Sequence, residues 1–171
     1  QYPQMGKELL ERYDVFRTSF YECRNTLLKY SSVDLEKLIN TNSEQINDTK
    51  NTQPLIFSIE YSMAKLFQSF GIKADAFIGH SIGEFCAATL AGVFTLEDAL
   101  KMVAKRGELM SGLKPGKMLS VVSKLESIQE FIGTEIQLAA VNSKLACVVA
   151  GPNESLDHLK FQLTIKGIGL Q

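Results

Sequence analysis

The chain has 171 residues, 45% of them hydrophobic, which is the size and apolar fraction of one ordinary globular domain with a sizeable core and excludes a disordered chain. Its 18 basic and 19 acidic residues are spread along the sequence for a formal net charge of -1, so no basic patch points to nucleic acid or to an anionic membrane surface.

Apolar residues Phe16, Phe20, Cys23 and Leu27 recur at helical spacing after Asp14, a natural N-cap, and predict an amphipathic helix to about Lys29. A short helical turn follows Ser32. From Asn40 to Thr52 the sequence is rich in Asn, Thr and Ser, with Ile46 nearly alone as an apolar residue, so a surface loop is expected. Thr52-Gln53-Pro54 reads as a helix start, with proline in the first turn where its missing N–H costs nothing. That helix runs to about Phe70 and stops at Gly71.

Ala76-Phe77-Ile78 is a short apolar run expected to form a buried strand, and it leads into Gly79-His80-Ser81-Ile82-Gly83-Glu84. The alanine-rich stretch Phe85 to Ala91 suits a helix packed closely on a sheet and ended by Gly92. Thr95, with Glu97 and Asp98 in the first turn, caps a further helix to about Leu113. Beyond Lys114-Pro115-Gly116-Lys117 the pattern is strand (Met118 to Val122), helix (about Leu125 to Ile132), strand (Gln137 to Val141), strand (Leu145 to Ala150) and helix (about Glu154 to Lys166). This βαββα order is one strand short of a ferredoxin-like βαββαβ unit, and the missing strand is expected just past Gln171. The fold class expected for the whole is therefore α/β.

Cys23, Cys86 and Cys147 are odd in number, lie in apolar surroundings and lack metal-ligand spacing; they read as buried thiols of a reducing compartment, and no metal site is expected. No run of about 18 apolar residues is present to span a bilayer, and no charged-then-apolar signal opens the chain, so a cytoplasmic location with no membrane partner is expected.

The motif Gly79-x-Ser81-x-Gly83 has the G-x-S-x-G form of a nucleophile elbow, in which small residues let a strand turn sharply into a helix and present a serine hydroxyl. The pattern alone is weak, and a structural turn with an ordinary serine is its bland reading. The apolar run before it and the alanine-rich helix after it are what an elbow requires. A helix starting here places backbone N–H groups, that of Ile82 above all, where a tetrahedral oxyanion forms. A serine nucleophile needs a base, and the only histidines are His80 and His158. His80 adjoins Ser81 but should point elsewhere, and His158, between Asp157 and Leu159, reads as a solvated surface residue. The base is therefore expected beyond residue 171.

Arg106 interrupts an apolar stripe, since Ala99, Val103, Arg106 and Met110 follow one another at helical spacings. A guanidinium on a core-facing helix needs a carboxylate, and spacing leaves open whether an internal Asp or Glu or a ligand supplies it.

The run GHSIGEFCAATLAGVFTLEDALKMVAKRGELM, Gly79 to Met110, resembles the acyltransferase domains of modular polyketide synthases and the malonyl-CoA:acyl carrier protein transacylases. QYPQMGKELLE at residues 1–11 resembles the family's opening segment, TQPLIFSIEYSMAKLF at 52–67 the helix before the elbow strand, and residues 117–168 the small subdomain. The resemblance implies an α/β-hydrolase-like large subdomain over residues 1–115 and a ferredoxin-like small subdomain over 116–171. It implies that Ser81 takes a malonyl or substituted malonyl group from coenzyme A and passes it to the phosphopantetheine thiol of an acyl carrier protein, with no bound cofactor and with neighbouring synthase domains as further partners. Arg106 matches the arginine that holds the free carboxylate of the acyl group, Ile82 gives a backbone oxyanion donor, and Gln53, His80 and Asn142 match positions lining or supporting the pocket. Ile82 within GHSIG resembles malonyl-selective members more than methylmalonyl-selective ones. Two departures stand out. Gln1 matches only the last residue of the G-Q-G-x-Q segment that supplies the second oxyanion donor, and the general-base histidine is expected after Gln171, so this chain by itself is expected to be poorly active. A serine esterase or thioesterase shares the elbow without needing Arg106, and a degenerate domain kept as a docking surface is the non-enzymatic alternative.

Overall fold

The computed structural model describes residues 1–40 and 44–170. They form two units, Gln1–Leu113 and Lys114–Gln171, each with its own apolar core.

The described part of the first unit is helical. Helices α1 (Lys7–Arg12), α2 (Asp14–Leu27), α3 (Leu35–Asn40), α4 (Thr49–Ser69), α5 (Ile82–Leu90) and α6 (Leu96–Ser111) follow in order. The long α4 is the centre, packed by α2, α5 and α6. Phe16, Phe20, Cys23 and Leu27 of α2 are all sealed from solvent, as the helical spacing requires, and meet Leu55, Phe57 and Ile59 of α4 and Ala99, Leu100 and Val103 of α6. Two buried serines on α4 satisfy themselves: Ser58 and Ser62 each donate 2.7 Å hydrogen bonds to the carbonyl one turn back.

Three expectations for this unit are corrected. The stretch expected as a loop from Asn40 to Thr52 is mostly ordered: residues 41–43 lie outside the described residues, but Glu44–Asn47 forms a 3-10 turn that buries Ile46, which anchors the segment to the core. Helix α4 then begins at Thr49 rather than at Thr52, because Asp48 caps it by accepting from Lys50 N at 3.1 Å. Pro54 is thus inside the helix, and its missing N–H leaves the Lys50 carbonyl without a helical donor. Gly107 of α6 uses that site: a methyl added there would lie 3.0 Å from Lys50 Cα and 3.1 Å from the Thr49 carbonyl, so only glycine lets the two helices cross this closely.

The third correction concerns Ala76-Phe77-Ile78. These residues are not in a strand and are exposed, Ile78 at 97%. A strand exists only by pairing, and the rest of the described unit, being helical, offers no sheet edge to pair with.

The second unit is a four-stranded antiparallel sheet. Strands β1 (Gly116–Val122), β2 (Gln137–Ser143), β3 (Ala146–Pro152) and β4 (Gly169–Leu170) lie in the order β2-β3-β1-β4, with α7 (Asn153–Ile165) and a 3-10 segment, Leu125–Phe131, between strands. The expected helix over 125–132 is therefore this tighter turn. The strand expected past Gln171 begins inside the chain: Val121 pairs with Leu170 and Val122 with Gly169. Its signal is two residues long, too short for any alternation to be read. Val121 of β1, Cys147 and Val149 of β3, and Leu156, Leu159 and Leu163 of α7 form the core with Ile128.

Candidate active site

Ser81 is the N-cap of α5 and holds φ 54° and ψ -114°, outside the regions an L-residue ordinarily occupies. Its neighbours explain how. Gly79 has no room for a side chain, since an added Cβ would overlap the backbone of Gly83 and Glu84. The Gly83 and Glu84 N–H groups donate to the carbonyls of His80 and Ser81 at 3.0 and 3.1 Å, closing the first turn and leaving the Ile82 N–H without a helical acceptor. A strained serine with a free N–H beside it at a helix start is the arrangement that presents a nucleophile and stabilises an anion formed on it.

Arg106 reaches this point from α6. Its Nη2 lies 3.5 Å from Ser81 Oγ, a long contact, while Nη1 donates a short hydrogen bond to Gln53 Oε1. Gln53 is buried on α4, and its amide group is fixed from the other side by donating to Thr49 Oγ1 at 2.8 Å and to Met110 Sδ at 3.3 Å. Gln53 thus aims the guanidinium without neutralising it. Among the described residues no Asp or Glu pairs with Arg106, so the question left open by the sequence is answered for the internal partner: it is an amide, 53 residues earlier, not a carboxylate.

The structure brings Ser81, Ile82, Arg106 and Gln53 together. The His80 side chain is exposed, and its backbone carbonyl serves the elbow. Asn142 is on β2 of the second unit, exposed, and His158 is exposed on α7. No imidazole is hydrogen-bonded to Ser81 Oγ among the described residues. Nor do the described residues contain a cluster of three His, Cys, Asp or Glu side chains able to hold a metal.

One residue near the elbow escaped the sequence reading. Glu60 of α4 faces Gly83, and burial pushes its carboxyl above the ordinary glutamate range. The signal was available, since Glu60 is the only charge between Lys50 and Lys65.

A serine at a strained helix start, with an arginine 3.5 Å from its hydroxyl that no Asp or Glu neutralises among the described residues, can hold an anion beside that hydroxyl. The family model for the acyl transferase domain matches residues 1–171, and the chain belongs to the acyl transferase domain family of polyketide and fatty acid synthases. It is 37% identical over 169 residues to a phenolphthiocerol/phthiocerol polyketide synthase polypeptide of Mycobacterium tuberculosis, covering 98% of this chain and 11% of that protein. Among solved structures it resembles the acyltransferase domain from the second module of the salinomycin polyketide synthase, with a TM-score of 0.92 and 32% identity over 100% of this chain and 41% of that one. It also resembles the malonyl CoA-acyl carrier protein transacylase from Clostridium perfringens, with a TM-score of 0.86 and 26% identity over 100% of this chain and 56% of that one. The chain therefore spans about a tenth of the curated relative and about half of the solved ones.

Proposed function

We propose that this chain supplies the nucleophile and the acyl-group selector of a malonyl transferase. The observation that carries the reading is Arg106, held by Gln53 and paired with no carboxylate among the described residues, beside Ser81 Oγ. A malonyl group has its free carboxylate one methylene from the thioester carbonyl. A carboxylate resting on Arg106 would therefore bring that carbonyl to Ser81, and a planar fork suits it better than lysine would.

In the first half-reaction the Ser81 oxygen bonds to the acyl carbon, the carbon–sulfur bond of malonyl-CoA breaks, and coenzyme A leaves as a thiol with the proton that Ser81 gives up. The Ile82 N–H stabilises the oxyanion in between. In the second, a phosphopantetheine thiol of an acyl carrier protein takes the malonyl group and Ser81 regains its proton. The two units would be the α/β-hydrolase-like and ferredoxin-like parts of the enzyme, with His80 supporting the pocket, in a cytoplasmic synthase. Among the described residues no helix is long and apolar enough to cross a membrane.

Intact mass of the full-length polypeptide with malonyl-CoA tests this. One malonyl adduct is expected, lost in Ser81→Ala and discharged by a carrier protein. Arg106→Ala should slow malonyl loading about 10- to 100-fold, the worth of a charge-assisted hydrogen bond, and leave acetyl loading little changed. Turnover of neutral esters untouched by Arg106→Ala, with no malonyl adduct, would establish a hydrolase; no adduct with any acyl-CoA would establish a docking domain.

A further inference from the structure

Glu60 lies two turns after Gln53 on α4, and a side chain built on Gly83 would meet only Glu60, its two carboxylate oxygens each 3.7 Å from the added carbon. One of them, Oε2, is sealed from solvent and has no hydrogen-bond partner among the described residues. A carboxylate left in this state is costly. Its neighbours on α5 are Gly83 and, one turn on, Cys86, whose thiol is pushed up to about 12 by burial first and by the charge of Glu60 second. Glu60 is thus lodged beneath the turn that Ser81 caps.

We propose that Glu60 is a positioning residue for Ser81: its carboxylate seats the first turn of α5 through the gap at Gly83 and so holds the Ser81 hydroxyl and the Ile82 N–H in their acyl-accepting arrangement. On this account the second glycine of G-x-S-x-G admits the carboxylate, since any side chain larger than a methyl would fill its space. Glu60 touches no substrate. It acts through the elbow, so its loss changes the rate of the covalent step and not the affinity for the acyl donor.

The inference rests on Ser81 being the nucleophile, and two electrophiles separate its failure from failure of the malonyl reading. In the full-length polypeptide, loading of Ser81 by malonyl-CoA and its modification by a fluorophosphonate are timed by intact mass. Glu60→Ala is expected to slow both about tenfold or more, as small misplacements of a reacting group do, with the half-saturating malonyl-CoA concentration unchanged. Glu60→Gln keeps the shape and should restore both rates to within about threefold, while Glu60→Asp, a methylene short of Gly83, should stay slow. Parental rates in Glu60→Asp or Glu60→Ala, or a Glu60→Gln rate as low as that of alanine, would overturn the proposal. Should alanine fail to fold, the aspartate and glutamine pair decides alone. If malonyl-CoA does not load the parent, the ranking with the fluorophosphonate still decides the positioning role.

Discussion

Ser81, the proposed nucleophile, shows at a single residue how a backbone conformation is held at the expense of stability. Holding a non-glycine residue at φ 54° and ψ -114° costs on the order of 1–3 kcal/mol, and the surrounding turn must supply it. Ser81→Gly should therefore raise stability by about 1 kcal/mol in denaturant unfolding while abolishing the acyl adduct; a glycine variant less stable than its parent would mean that the backbone here is unstrained. The serine and its flanking glycines were legible because the elbow is a local device whose requirements fall within five consecutive positions. The partner of Arg106 was not. Spacing along α6 marks a charge in an apolar stripe, but it carries no information about a glutamine on another helix.

At the scale of elements, the crossing of α4 and α6 sets the distance between Gln53 and Arg106. Gly107 follows Arg106 and abuts the backbone of Thr49 and Lys50, where Pro54 has left a carbonyl without its helical donor. Alanine at an exposed helical site would gain about 1 kcal/mol over glycine. Here the obstructing atoms are backbone and cannot rotate away, so overpacking wins. Gly107→Ala should destabilise the first unit by about 1–3 kcal/mol and weaken malonyl loading more than acetyl loading, because Arg106 is moved from Gln53. Equal loss with both donors would show that the crossing matters for the fold alone. The elements themselves were read well where an amphipathic period or a cap announced them, as at Phe16 to Leu27 and at Thr95, whose side chain accepts from Asp98 N at 3.1 Å. They were misread where one residue outweighed composition: Ile46 orders a polar stretch, and Asp48 starts α4 ahead of the proline.

Across the whole molecule, each unit keeps at least one thiol inside. Burial pushes Cys23 and Cys86 of the first unit up to about 12 and raises Cys147 of the second, so none offers a thiolate near neutrality while its core is closed. With opening free energies of the usual size, alkylation by iodoacetamide at neutral pH should be at least about a thousandfold slower in the native protein than in denaturant. Rapid native labelling of any of the three, located by peptide mass, would show that the core around it opens readily.

Short-range chemistry is written directly into the sequence: the amphipathic helices, the caps, the glycine-flanked serine, the buried cysteines and the odd placement of Arg106. Everything else came from the tertiary structure, because it depends on residues far apart in the chain meeting or failing to meet. Ala76-Phe77-Ile78 has the composition of a strand but forms none without a sheet edge beside it. Gly169–Leu170 has almost no strand signal yet becomes one because β1 offers the edge. Arg106 obtains an amide in place of a carboxylate, and Glu60 comes to rest under Ser81, only because α4 passes beneath both α5 and α6.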